Sequence, residues 1–213
     1  MSEPEPWTEI FNKVKVEIPG AVDAVIRQQI FSVMADFTGS VPLWQEDVPF
    51  VATPGTLVYP LTVTDGRMYR LMRVYKADDP RQTWVQGGIS MRIPGQLRIW
   101  QSPNEQQNWV AVVAKACSNP VLAGDPPKST GYPAVDEWIV QNYHDVISYG
   151  ALSYMYRMPA KSYSNPKAAA DNNASYMAGK AQARSDNIRA NVYNGQAWTF
   201  PQDFATVSKK GWT

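Results

Sequence analysis

Reactive side chains are scarce in this chain. Its 213 residues include one cysteine, Cys117, and one histidine, His144. A single cysteine excludes an internal disulfide and a thiolate metal cluster, and it is compatible with a reducing compartment. Charge is sparse too. Asp, Glu, Lys and Arg make up 18% of the residues and leave a net charge of +1, where soluble domains carry about 25% charged residues. So neutral a chain has no global field to draw in DNA, RNA or anionic lipid. No uninterrupted apolar stretch reaches the ~18 residues that a membrane helix needs, so no membrane partner is expected. The opening segment, Met1 to Pro6, is acidic and proline-rich and lacks the basic and apolar regions of a secretory leader. Phosphate-loop chemistry is missing as well. Gly87-Gly88 stands without the Lys-Ser/Thr ending that would bind phosphate and magnesium, and reads better as a turn or bulge.

Apolar residues make up 44% of the chain, enough to bury a core. Aromatics make up 12%, with 8 Trp and 11 Tyr. Few charges beside many amphipathic aromatics suit a chain whose surface is largely spent in protein contacts, because Tyr and Trp can be half dry and half wet. The alternative is a small, aromatic-rich monomer.

The periodicities run helix, strand, helix, which makes the fold class α+β. The N-terminal helices occupy 1–43. A short helix opening at Thr8-Glu9 carries Ile10, Phe11 and Val14 and is interrupted at Pro19-Gly20. A second places Val22, Ile26, Ile30, Val33 and Phe37 along one stripe, with Asp23 in its first turn and Gly39 as its stop. A central, mainly antiparallel β domain occupies 44–118. Its strands are Thr56–Leu61, Met68–Lys76, Gly88–Ile93, Gln96–Gln101 and Trp109–Ala116, with a hairpin turn at Pro94-Gly95. In Met68–Lys76 simple alternation puts Met68, Arg70, Met72, Val74 and Lys76 on one face and Tyr69, Leu71, Arg73 and Tyr75 on the other. A C-terminal helical hairpin, 119–194, completes a helical bundle. Its first helix has the stripe Val135, Ile139, Tyr143, Val146, Gly150 and Tyr154 and ends at Met158-Pro159. Its second opens at Ser164-Asn165-Pro166, with Ser164 or Asn165 as the cap. Gly179 and Ala183, four apart, let two helix backbones approach closely. The remainder, 195–213, reads as an extended tail without periodicity.

Catalytic constellations are weak. His144 neighbours Asp145, but adjacent helical residues face different ways, and no activated nucleophile motif accompanies them. Cys117 ends an apolar strand, where cysteine acts as a small hydrophobe. The carboxylate pairs Glu46-Asp47 and Asp78-Asp79 read as solvated. The expectation is a non-enzymatic chain without metal or cofactor.

Two groups could instead bind partners. Lys180, Arg184 and Arg189 fall near one face of the last helix and could line a channel or meet DNA phosphates; a solvated or ion-paired face is the other reading. A DNA-binding module using this basic face is therefore the alternative function. The tail carries Trp198, Phe200, Phe204 and Trp212 with Lys209 and Lys210. Disordered tails are poor in aromatics, so this one reads as a partner-binding segment, against the option that it folds back on its own sheet.

The segments Val135-Asp-Glu-Trp-Ile139, Ile147-Ser-Tyr-Gly-Ala-Leu-Ser-Tyr-Met155 and Met158-Pro-Ala-Lys-Ser-Tyr-Ser-Asn-Pro166, followed by an Ala-rich helix through Ala181-Gln-Ala-Arg184, resemble the C-terminal half of phage head-to-tail adaptor proteins. Tyr163 stands where that family has Trp, while Tyr176, Gly179 and Arg184 occupy matching places. The stretch from Thr38 to Trp44, and Pro54-Gly-Thr56 with Tyr59-Pro-Leu61, is similar to the N-terminal half. The resemblance implies a structural virion protein of the tail or neck, assembled in the host cytoplasm. It implies a dodecameric ring of this chain joining the portal protein to the tail (nozzle) protein, with genomic DNA passing through without sequence specificity during ejection. It also implies that the C-terminal segment docks on the portal.

Overall fold

The computed structural model describes residues 6–79, 85, 88–117 and 135–192. Four helices and six strands appear there in the order α, α, six β, α, α, an α+β chain with two small antiparallel sheets.

Helix α1 (Pro6–Glu17) buries Trp7, Ile10, Phe11 and Val14 and ends ahead of Pro19, as the turn signal predicts. Helix α2 (Asp23–Ser40) buries Ile26, Ile30, Val33 and Phe37 of the expected stripe. Val22 lies just outside as the N-cap and is exposed, and Gly39 is not the stop but lies inside the last turn. Helix α3 (Glu137–Tyr156) is broken at Tyr143, whose φ of −121° and ψ of 17° are not helical. The break rotates the stripe. Ile139 and Val140 are buried before it and Ile147, Ala151 and Met155 after it, so Tyr154, read as a core position, is exposed and Met155 takes its place. Helix α4 (Pro166–Val192) is capped by Asn165, whose Oδ1 accepts the Ala168 N–H at 3.1 Å.

Side chains from all four helices share one core with Trp44 and Cys117. Glycines set the tightest approaches. A Cβ on Gly150 would lie 2.5 Å from Val33 Cγ1 of α2 and 3.0 Å from the Tyr176 ring of α4; one on Gly179 would lie 2.5 Å from Val146 Cγ2 of α3. Only a hydrogen fits at either place, which is how a polar, Ala-rich helix still packs closely.

The strands are β1 (Gln45–Ala52), β2 (Val58–Pro60), β3 (Arg67–Lys76), β4 (Ile89–Ile93), β5 (Gln96–Ile99) and β6 (Gln107–Ala116). One sheet runs β1-β6-β3 and the other β2-β5-β4. The β4–β5 hairpin turns at Pro94-Gly95 as expected, with Gly95 at φ 82°. Strand β1 is absent from the expected elements because Pro49 and two acidic residues hide it. As an edge strand it has room for a proline, which donates no ladder hydrogen bond. Tyr59, Leu61, Met68, Val74, Leu97, Ile99, Trp109, Ala111 and Val113 fill a second core between the sheets.

Simple alternation fails in β3. Arg67 pairs with Ala116, Arg70 with Ala114 and Arg73 with Val112, with register shifts between Met68 and Arg70 and between Leu71 and Arg73. Each bulge adds one residue and reverses the facing of those that follow. Arg67, Arg70 and Arg73 therefore share one face, while Met68, Leu71 and Val74 share the face that packs in the second core. The two cores meet at the end of β6. The Thr38 hydroxyl accepts the Cys117 N–H at 2.9 Å, and the Trp44 ring is so close to Gly66 that a Cβ there would lie 2.8 Å away.

Candidate functional site

The candidate reactive residues, Cys117 and His144, occupy packed or hydrogen-bonded positions. Cys117 is buried, and burial pushes its thiol up to about 12 even with Arg67 nearby, so it carries no thiolate at neutral pH. His144 sits on α3 with Nδ1 2.8 Å from the Gln141 carbonyl and Nε2 3.4 Å from Asp145 Oδ1. The nearby Ser148 hydroxyl donates to the His144 backbone carbonyl at 2.7 Å, not to the imidazole. Asp145 is also bonded to Lys13 of α1. That ammonium holds its carboxyl below the usual range and ties two helices together. Among the described residues no group of three or more His, Cys, Asp or Glu side chains could hold a metal ion.

The expected basic face of α4 separates into different environments. Lys180 is buried, and its ammonium lies 2.8 Å from Asp36 Oδ2 of α2 and 5.0 Å from the centre of the Tyr176 ring. The Tyr176 hydroxyl donates to the same carboxylate oxygen at 2.6 Å. Burial pushes the Asp36 carboxyl up, but the Lys180 and Tyr176 hydrogen bonds outweigh it and hold it below the ordinary value; burial and Asp36 drive the Tyr176 phenol well above its own. Lys180 thus pins α4 to α2. Arg184 remains exposed, its Nε donating to the Ser40 carbonyl at 3.3 Å. The side chain of Arg189 lies outside the described residues. So do all the expected portal-binding positions: Trp198, Phe200, Phe204, Lys209, Lys210 and Trp212.

A second internal ion pair steadies the β region. Lys115 of β6 lies 2.7 Å from Glu46 of β1 and 4.3 Å from the centre of the Trp44 ring. Glu46 also accepts from the Thr64 backbone and hydroxyl, and these bonds hold its carboxyl low against the opposing effect of burial.

Several large apolar side chains also stand in solvent. Val16, Val22, Ile93, Trp100, Met177 and Ile188 are all more than half exposed. Trp138 lines an open cleft of about 400 Å³ with Leu43, Gln45, Tyr143, Asp136, Asp186 and Asn187, where the start of α3 meets the far half of α4. Among the described residues no helix is long and apolar enough to cross a membrane. Compared with known protein families and with curated proteins, the chain gives no match.

Proposed function

We propose that the chain is a non-enzymatic head-to-tail adaptor of a tailed phage. Copies of it form a dodecameric ring that joins the portal protein to the tail nozzle and encloses the path of the genome. The reading rests first on the family resemblance of the segments from Val135 to Arg184. The observation that carries it is the surface: large apolar side chains on separate elements, from Val16 on α1 to Trp100 after β5 and Ile188 on α4, stand in solvent on a chain with few charges. Covering such groups gains roughly 25 cal/mol per Å² of apolar surface, which a ring of copies would supply. The buried thiol of Cys117 and the helix-bound imidazole of His144 supply no nucleophile–base pair, which also favours a structural role.

The portal contact is assigned to the segment after residue 194, through Trp198, Phe200, Phe204 and Trp212 with Lys209 and Lys210. The test mixes purified portal rings with this chain, intact or cut after Tyr193, and separates complexes by sedimentation. Intact chain is expected to join the portal as a ring and the shortened chain to lose that binding. Equal binding by both would remove the tail from the interface; binding by neither would remove the adaptor reading itself.

A further inference from the structure

We infer that the edge strand β3 carries a binding surface for the phosphate backbone of a nucleic acid, formed by Arg67, Arg70 and Arg73 with Arg184 beside them. The strand pairing makes the row. The three arginines are spaced by three in sequence, a spacing that would scatter them over both faces of a regular strand. The two bulges reset the alternation, so that they stand opposite Ala116, Ala114 and Val112, alternate positions of β6 on one face. Alternate positions are about 7 Å apart, so the row spans about 14 Å in two steps. That repeat is of the order of the distance between successive phosphates along an extended nucleic-acid strand.

The charges on this row are unspent. Among the described residues none of the three guanidiniums makes an ion pair or a hydrogen bond; Arg73 only lies over the Tyr75 ring, 5.7 Å from its centre. Arg67 and Arg70 are exposed and Arg73 half-buried. From α4, Arg184 reaches the same seam: it and Arg70 both pull down the Tyr69 phenol, which burial pushes up. One carboxylate, Asp47, shares this face among the strand residues of the sheet, and it accepts the Tyr75 hydroxyl at 3.0 Å. The other basic groups of the region differ. Lys115 is committed to Glu46 and Lys180 to Asp36, so these two add no free charge. A row of guanidiniums unpaired among the described residues, on a near-neutral protein, fits a linear polyanion, which arginine binds through paired N–H donors.

The inference adds a surface to the adaptor reading without resting on it, because the isolated chain suffices for the test. Fluorescein-labelled 20-mer DNA, as a single strand and as a duplex, is titrated with full-length protein, and anisotropy is followed from 20 to 200 mM salt. Binding is expected at low salt in at least one arm, with a log–log salt slope of about −3, and the two arms report which form of the backbone fits. Arg67→Gln, Arg70→Gln and Arg73→Gln are each expected to weaken binding about three- to tenfold and to flatten the slope by about 1. Arg70→Lys is expected to fall between the parent and Arg70→Gln, since it keeps the charge but loses the paired donors. Lys161→Gln, at the corner between α3 and α4, should change nothing. The single variants sit on an exposed edge and keep the test open should the triple variant fail to fold. No binding of either DNA at 20 mM salt, or unchanged binding in the glutamine variants, would overturn the inference. So would displacement of the DNA by polyglutamate at equal charge concentration, which would mark the row as a site for an acidic protein.

Discussion

At Gly179 the spacing between α3 and α4 depends on a missing methyl group. A Cβ there would meet Val146 at 2.5 and 2.7 Å, and valine cannot turn away easily because its χ1 is restricted inside a helix. Gly179→Ala should gain up to about 1 kcal/mol in helix propensity, yet lose about 1–3 kcal/mol to overpacking. With the full propensity gain the net expectation is a loss of up to roughly 2 kcal/mol. The same change made in a Val146→Ala background removes the obstacle, so the double variant should be less destabilised than the sum of the two single variants. Urea unfolding of the four proteins gives the coupling directly, and additive losses would show that the crossing is looser than described. Gly179 and Ala183 are legible in the sequence as a small-residue pair. Gly150, which meets Val33 and Tyr176, has no such signal: the sequence places it on a stripe of core side chains, and only the packing makes its lack of a side chain matter.

Among the elements, helix ends and strands differ in how openly the sequence announces them. Asn165-Pro166 reads as a helix start from two independent preferences, and the structure selects Asn165 as the residue whose side chain accepts an orphan N–H. Asn165→Ala should therefore cost about 1 kcal/mol, and Asn165→Ser should restore most of it; thermal unfolding of the two variants checks the cap, and equal losses would assign Asn165 some other role. By contrast, the facing of β3 is hidden. Its period-3 pattern of Arg67, Arg70 and Arg73 beside Met68, Leu71 and Val74 fits neither a helix nor a regular strand, and it becomes meaningful only when two bulges are counted in. The misfit to both periods was itself a signal that a bulged strand would explain. The turn of the stripe in α3 is hidden for a similar reason, since nothing in the residues around Tyr143 announces a break. Of the expected basic face, sequence spacing found Arg184 but could not foresee that Lys180 faces inward to a carboxylate 144 residues away.

At the scale of the whole molecule, three carboxylates tie separate elements together: Asp36 joins α2 to α4, Glu46 joins β1 to β6, and Asp145 joins α3 to α1. All three are held below their ordinary values of 3.8 or 4.5. The folded chain therefore binds fewer protons than the unfolded chain as acid is added, and the stability these groups contribute is fully present above about pH 5. It is lost as pH falls through the usual carboxylate range towards the depressed folded values. Urea midpoints are expected to be flat with respect to these groups between pH 6 and 7 and to drop steeply below about pH 4.5. Lys180→Met sharpens the test. Without the ammonium, burial of Asp36 is opposed only by the Tyr176 hydrogen bond and the more distant Arg184, so its carboxyl should rise. The variant should be less stable than the parent at pH 7, where it holds a carboxylate short of its partner. It should then lose less further stability between pH 7 and pH 3.5, because that carboxylate now takes up its proton with little penalty in the folded state. Parallel pH profiles for the two proteins would mean that the Asp36–Lys180 pair contributes nothing to the acid response, and that the α2–α4 contact is held by Tyr176 and the glycine crossings alone.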